Sequence, residues 1–468
     1  MADTRFDLVV LGGGTGGYVA AIRAAQLGLK TALVDKAKVG GTCLHQGCIP
    51  TKALLGTAEL LHSLQHAQDY GLSASDVALN YPQAILRKNK VVDQLYRGVQ
   101  FLLKKNKVTI FEGYGKLRGA GRVEVSQSGG TTMQLEATDV LLATGSVPRP
   151  LPGVPFDGQR VLSSDDVLNR SDVPASVVIL GGGAIGVEFA SMYNDFGSTV
   201  TIVEMLPHIL PQDDEEVAEQ LTKLLTRRGI TIYSSATFDP ASLQIGSSGI
   251  HAEIVKADQT RATVEGDVLL VAIGRKAVTE NLGLEELGVE VQRGFVTVDD
   301  HYRTNIPHVY AIGDLIGGYL LAHVAAHEGM IAVETIAGKN PELLNPQRIP
   351  RVTYSRPEVA SVGLSEKEAK NQGYDVKVGI FPFRANGKSL ILGEADGMVK
   401  LVADKKTDAL LGAHIVGPHA SDLINEMALA KFLEATAWEV AESVHAHPTV
   451  SEVLHEAALA VDGMAIHI

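Results

Sequence analysis

"FDLVVLGGGTGGYVAAIRAAQLGLKTALVD" (Phe6–Asp35) reads as strand, glycine turn, helix, strand. A strand-length apolar run gives way to apolar residues at helical spacing, then to a second apolar run. Gly12, Gly14 and Gly17 fit G-x-G-x-x-G, and Asp35 closes the second strand. In that pattern the first glycine makes the tight turn and the second lets backbone approach a pyrophosphate. The third lets the helix pack on the sheet. The helix N-terminus then faces the phosphates, and the acid accepts ribose hydroxyls. The unit returns at "ASVVILGGGAIGVEFASMYNDFGSTVTIVE" (Ala175–Glu204), with Gly181, Gly183 and Gly186. Its acid, Glu204, stands at the same interval from the first glycine as Asp35 does. One such motif is a weak signal, since glycines also serve ordinary turns. Two, each after an apolar strand and each followed by a placed acid, specify two dinucleotide sites. Glu204 accepts a 2′-hydroxyl and repels a 2′-phosphate, and "MLPHIL" after it offers no Arg, so the second site favours NAD over NADP.

The only two cysteines of the chain, Cys43 and Cys48, lie just beyond, in "GGTCLHQGCIPTKALL" (Gly40–Leu55). Three readings compete. A zinc site needs about four Cys or His ligands, and the pair has neither C-x2-C spacing nor a second pair; His45 alone between them does not complete one. A staple closing so short a loop is worth roughly 2 kcal/mol, little for a chain that can bury sizeable cores. A redox pair is the leading reading. The stretch from Cys48 onward reads as a helix, and residues five apart in an ideal helix have Cα atoms roughly 8–9 Å apart. A disulfide needs under ~7 Å. If the two bond, the backbone must leave the regular helix near Gly47, where glycine makes distortion cheap. Thiols near a helix start also ionise readily, which suits exchange.

The chain has 468 residues, enough for about three or four domains. Hydrophobic residues at 45% and charged ones at 20% describe an ordinary globular protein. A net charge of −13 argues against nucleic acid or an anionic membrane as partner. No uninterrupted apolar run is long enough for a membrane span, and the N-terminus lacks a signal-peptide pattern. A cytoplasmic location is expected, where a disulfide is more often catalytic than structural.

Together these motifs resemble the flavin-dependent pyridine nucleotide–disulfide oxidoreductases, and the resemblance covers essentially the whole chain. "GGTCLHQGCIPTKALL" is similar to the family's redox-active helix, and "LLATGSVPRP" (Leu141–Pro150) to its A-T-G stretch. "TNIPHVYAIGD" (Thr304–Asp314) is similar to its second flavin motif, and "HAHPTVSEVLHEA" (His445–Ala457) to the motif carrying the catalytic His and Glu.

The resemblance implies FAD at the first glycine unit and NAD at the second. It makes Cys43 the thiol that exchanges with substrate and Cys48 the thiol against the flavin, with His447 as base and Glu452 orienting it. It implies flavin contacts at Gly41, Thr42, Gly115, Thr144, Gly145, Ser146, Asp314, Leu321, Ala322 and His323. Lys52 and Glu188 match a pair near the reactive end of the flavin, and Gly274 and Arg275 a loop at the NAD site. The implied activity is oxidation of protein-bound dihydrolipoamide by NAD+. Its partners are lipoylated domains of 2-oxo acid dehydrogenase or glycine-cleavage complexes, and the protein is a homodimer. Reduction of another small disulfide and a non-catalytic flavoprotein subunit are the alternatives. Glu204 and the absence of further cysteines count against the first, and the intact Cys43, Cys48 and His447 against the second.

Plainer roles compete at single positions. Lys52 reads equally as a solvated helix residue. Glu188, on the apolar "GVEFASMY", reads by itself as facing solvent. Thr449 to Glu452 forms a capping box, which alone favours capping over orientation of His447. His445 reads as an ordinary histidine. The sequence departs from the family at Lys276-Ala277-Val278 and Gly387-Lys388, and carries Asp35 where Glu is commoner; neither segment is expected at the redox centre.

The expected fold is α/β: two Rossmann-like dinucleotide domains plus a C-terminal α+β dimerisation domain. The boundaries expected are 1–147 for the first part of the FAD domain and 148–275 for the NAD domain. Residues 276–346 form a central segment completing the FAD site, and 347–468 the interface domain. Prolines in "SVPRPLPGVPFDG" and "NPQRIPRV" mark two of the joins.

Overall fold

The computed structural model describes residues 4–468. The chain divides into two compact units: residues up to 53, 83–149 and 275–344 form one; 54–82, 150–274 and 345–468 form the other.

In the first unit, strand Arg5–Leu11 pairs in parallel with Thr31–Asp35 on one side and with Thr132–Leu142 on the other. Thr109–Glu112 and Val309–Ala311 extend this sheet at its two ends, also in parallel. Its strands read as continuous apolar runs because both faces are covered. Val9 and Leu11 enter the core on one face, Leu8 and Val10 that on the other. Strand Thr132–Leu142 is long enough to do two jobs: its first half pairs antiparallel with Arg122–Ser126, its second half joins the parallel sheet. Helix Thr15–Gln26 follows the glycine turn and lies on helix Ala322–Ile336. The contact is backbone to backbone: a side chain on Gly16 would meet Ala325 O at 2.9 Å, and one on Gly329 would meet Gly16 O at 2.8 Å.

The second unit repeats the arrangement. Its parallel sheet runs Thr231–Tyr233, Thr199–Val203, Ser176–Leu180, Val268–Val271, Val161–Leu162. The C-terminal segment of this unit builds a five-stranded antiparallel sheet around Met398–Asp404 and Leu410–Gly417, covered by helices Ala420–Phe432, Ala437–Glu442 and Glu452–Ala460. Phe432, Leu433 and Trp438 remain exposed on these helices and the turn between them. The α/β class, the two nucleotide units and the C-terminal α+β segment are as expected. No helix among the described residues is long and apolar enough to cross a membrane.

Candidate active site

The glycines of each turn divide by what a side chain would meet. Gly12 holds φ +105°, and a Cβ there would lie 2.2 Å from Ala143 O. One on Gly17 would lie 1.8 Å from Gly12 O. These two are fixed by the fold. Gly14 is different: its nearest neighbour would be Gly41 Cα at 3.9 Å, so its missing side chain leaves open space at a helix N-terminus. In the second turn Gly181 and Gly186 would clash at 2.4 Å and 2.0 Å, whereas Gly183 meets nothing within 4 Å. Each turn is thus a cradle that a Cβ would fill, of the kind a pyrophosphate occupies.

The acids behave alike. Asp35 accepts the Gly13 N–H at 2.5 Å and the Ala37 N–H at 2.7 Å. Glu204 accepts the Gly182 N–H at 2.6 Å and the Leu206 N–H at 2.7 Å. Both carboxylates therefore brace their turn as well as standing where a ribose would be read. The repeat also runs further than the glycines: the carbonyl that each first glycine abuts belongs to Ala143 or Ala272, in Ala-Thr-Gly and Ala-Ile-Gly. Gly145 (φ +70°) and Gly274 (φ +114°) close these stretches facing open space. The sequence carried that second echo in "ATG" and "AIG".

A cleft in the first unit gathers Gly12, Asp35, Gly115, Thr144 and Val278. The Thr144 hydroxyl donates to Val278 O at 2.8 Å, and the Val278 N–H to Gly145 O at 2.9 Å. The departure at Lys276–Val278 thus borders this cleft. Ser146 donates to the Asp314 carboxylate, and Arg275 Nε donates to Ser146 Oγ at 2.7 Å. Arg275 also lies 3.7 Å from Asp314, so it braces the second flavin motif, a role the sequence reading missed. Leu321 caps helix Ala322–Ile336 without a side-chain bond, leaving the turn of Ala322 and His323 as a helix start. Glu328, on the same helix, is buried and accepts the Gly313 N–H at 2.6 Å; burial pushes its carboxyl up to about 7. It too was missed.

The thiol segment breaks where expected. Helix Gly41–Gln46 ends at Gly47 (φ −149°, ψ −112°), and a new helix, Cys48–Gln65, begins at once. A side chain on Gly47 would press on Thr42 O at 3.0 Å, so glycine lets the chain fold back over the first cysteine. The sulfurs are held as thiols, Cys43 hydrogen-bonded with Cys48. That contact, then burial, pushes the Cys43 thiol up, while Thr15 and the Lys52 ammonium pull it down. Gly41, at φ +60°, packs on Gly14 and brings the thiol helix to the first turn.

In the second unit Glu188 is 5% exposed and accepts the Tyr354 N–H at 3.0 Å. The solvent-facing reading of Glu188 fails, because its helix is covered on that side. Glu452 performs both roles weighed for it: Oε1 lies 2.8 Å from His447 Nδ1, and Oε2 accepts the Thr449 N–H at 2.8 Å. The reciprocal half of the capping box is missing, since the Thr449 hydroxyl turns to Ala446 O instead. Burial raises the Glu452 carboxyl, but Thr449 and His447 outweigh it and hold it below its ordinary value. The His447 ring itself is exposed. His445 is occupied by Glu426 at 2.8 Å and Ser443 O at 2.9 Å. Asn386, just before the Gly387-Lys388 departure, donates to Thr449 O at 3.1 Å and so supports this loop.

Two dinucleotide cradles and a thiol pair on the first of them define a nucleotide-dependent disulfide oxidoreductase. Residues 6–329 match the pyridine nucleotide-disulphide oxidoreductase model, and residues 349–458 match the dimerisation domain of the same group. The chain is 49% identical to the dihydrolipoyl dehydrogenase of Bacillus subtilis, with 99% of each chain covered. It is 47% identical to that of Zymomonas mobilis, with 100% of each covered. Among solved structures it resembles LpdA from Mycobacterium tuberculosis (TM-score 0.89, 30% identity, 97% of this chain and 99% of that one). It also resembles the flavoprotein disulfide reductase RclA from Escherichia coli (TM-score 0.86, 26% identity, 97% and 99% covered). The chain belongs to the pyridine nucleotide-disulphide oxidoreductase family, whose members bind FAD and NAD(H).

Proposed function

We propose that the protein oxidises protein-bound dihydrolipoamide with NAD+ in the cytoplasm, as a homodimer serving 2-oxo acid dehydrogenase or glycine-cleavage complexes. The observation that carries this reading is the thiol pair folded onto the first cradle, in a chain 49% identical to a dihydrolipoyl dehydrogenase over nearly its full length. FAD fits the first cradle, held by Gly14, Asp35, Gly41 and the Ser146–Asp314 pair; NAD fits the second, held by Gly183 and Glu204. Bound FAD supplies the two-electron relay between the thiols and NAD+.

The residues of the chain do the rest. His447, fixed through Nδ1 by Glu452, presents Nε2 to take a proton from the dithiol, because only the thiolate attacks a disulfide. In the oxidised enzyme, where a disulfide joins Cys43 to Cys48, that thiolate attacks Cys43, forming a mixed disulfide and releasing Cys48 as a thiolate. The second substrate thiol then displaces Cys43 and leaves as the oxidised ring. Lys52 stabilises the negative charge accumulating on the pair.

The exposed His447 ring is read as completing the site of a second chain, and the exposed Phe432, Leu433 and Trp438 support such a dimer. Mixing Cys43→Ser with His447→Gln chains tests this. Random pairing gives half mixed dimers, each with one intact site, so activity returns to about a quarter of wild type. No recovery overturns the shared site. The activity is tested by NADH formation from dihydrolipoamide and NAD+ by the FAD-loaded protein. A protein that reduces glutathione disulfide with NADPH and leaves dihydrolipoamide untouched overturns the proposal.

A further inference from the structure

One face of the five-stranded C-terminal sheet is covered by helices, and Val399, Leu401, Ala413 and Ile415 join the core beneath them. Residues between these point to the opposite face, and there a polar row crosses four neighbouring strands. Arg351 stands opposite Ser361, Ser361 opposite His414, and His414 opposite Lys400, all in register. Ser361 and His414 are 0% exposed and Lys400 2%. Polar groups this deep are costly unless paired. His414 Nε2 lies 2.9 Å from Leu364 O. The partners of Ser361 and Lys400 come from the start of helix Glu215–Arg227, far away in the chain. Ser361 Oγ accepts from Arg351 Nη2 at 3.1 Å and donates to Asp213 Oδ1 at 2.5 Å. Lys400 Nζ donates to Asp214, the N-cap of that helix, at 2.9 Å.

Asp213 ends a loop that begins at Glu204, the acid of the second glycine turn. The Asp213 N–H donates to Leu210 O at 2.9 Å, and the Leu210 N–H to Gly182 O at 2.8 Å. Gly182 in turn donates its N–H to Glu204 at 2.6 Å. A run of hydrogen bonds therefore leads from Ser361 through Asp213 and Leu210 to the glycine turn. The loop also fits closely, since a side chain on Gly182 would lie 2.8 Å from Ile209 Cγ2. Leu210 holds φ +48°, a left-handed conformation that such a residue keeps only where its surroundings impose it. Hydrophobic contact is non-directional, whereas these bonds fix where the end of the loop meets the sheet.

We propose that Ser361 is a positioning residue for NAD+, holding Asp213 and with it the Glu204 loop against the second glycine turn. Lys400 secures the helix start beside it through Asp214. The inference rests on the reading of the second turn as the NAD site. Ser361 acts through the loop: without its bond Asp213 is free to shift, Leu210 relaxes, and the turn and Glu204 loosen together.

The test titrates NAD+ into the oxidised, FAD-loaded protein by calorimetry. Ser361→Ala removes the donor to Asp213 and is expected to weaken NAD+ binding about three- to tenfold. Asp213→Ala removes the other end of the same bond and is expected to do likewise. The double variant is expected to bind no more weakly than the worse single one, because both lesions break one interaction. Asp213→Asn keeps an acceptor oxygen for Ser361 and is expected to stay within about twofold of wild type. FAD content is expected to be equal throughout, because the first turn belongs to the other unit. Should Ser361→Ala fail to fold, the less buried Asp213 decides through its alanine and asparagine variants. Unchanged NAD+ affinity in the alanine variants overturns the inference, as does additive weakening in the double variant. Gly183→Ala separates this from the reading beneath it. If Gly183→Ala weakens NAD+ while the alanine variants do not, the anchor alone falls; if Gly183→Ala leaves NAD+ binding intact, the placing of NAD at the second turn falls, and the anchor with it.

Discussion

The two oxygens of Glu452 serve different masters: Oε1 lies 2.8 Å from His447 Nδ1, and Oε2 accepts the Thr449 N–H at 2.8 Å. One carboxylate thus builds the loop and orients the His447 ring. Glu452→Gln keeps a neutral acceptor for Thr449 but loses the charge that stabilises a protonated ring. It is expected to lower kcat for dihydrolipoamide oxidation about 10- to 100-fold, with the KM for NAD+ and the melting temperature little changed. Steady-state kinetics beside a thermal scan separate the two roles; a fall in melting temperature with kcat intact would mean that Glu452 acts only as a cap.

The glycines predict a sharp contrast. Gly14→Ala fills open space, so the apoprotein should fold with its melting temperature unchanged yet lose FAD affinity, because the Cβ occupies the cradle. Gly17→Ala would place a Cβ 1.8 Å from Gly12 O and should destabilise the protein itself. Gly183→Ala should weaken NAD+ and spare FAD. Flavin content after purification and apoprotein melting curves check all three.

How legible this was depends on whether a residue acts through local pattern or through distant packing. The two turns, their acids and the break at Gly47 were readable, because each is a short-range consequence of glycine geometry. Local pattern does not reveal how Lys400 and His414, on strands Met398–Asp404 and Leu410–Gly417, are enclosed. They sit opposite each other in register and are both essentially buried. Lys400 is enclosed by Asp214 at 2.9 Å and Glu366 at 2.8 Å, residues far away in the chain. The bracing role of Arg275, and Glu328 altogether, were missed for the same reason, since their partners Ser146 and Gly313 lie on other elements. Glu188 misled because one helix alone does not reveal which side will be covered.

That buried cluster sets an acid limit. Lys370 and Lys400 hold the Glu366 carboxyl below its ordinary value; burial raises that of Asp214, but Lys400 among its partners outweighs burial and holds it down. Carboxyls depressed in the folded state stabilise it above the unfolded values near 4, and this contribution is lost as pH falls below them. Burial lowers the His414 pKa, so the unfolded state takes up protons first and stability already declines below about pH 6.5. Melting temperature should therefore fall in two stages on acidification. Lys400→Met leaves Asp214 buried without its cation and should cost about 3–5 kcal/mol. An unchanged melting curve at neutral pH would remove the cluster from the stability account.

Nucleotide choice turns on Glu204, which is 6% exposed and braced by two backbone N–H groups. The kcat/KM for NAD+ should exceed that for NADP+ by at least about tenfold, equivalent to ~1.4 kcal/mol. Because the carboxylate also holds the turn, Glu204→Gln is the informative variant: it keeps the acceptor and removes the charge, and should narrow the gap. Equal efficiencies in the wild type would refute the assignment.

That Cys43 and Cys48 together accept the two electrons of the substrate is tested most directly by a thiol count, because the chain contains no other cysteine. Oxidised holoenzyme is treated with iodoacetamide before and after one equivalent of dihydrolipoamide under anaerobic conditions, and the peptide carrying both residues is weighed. No label and an intact disulfide are expected before substrate, and label on both cysteines after it. Two labelled thiols in the oxidised enzyme, or a peptide that substrate leaves unchanged, would contradict it.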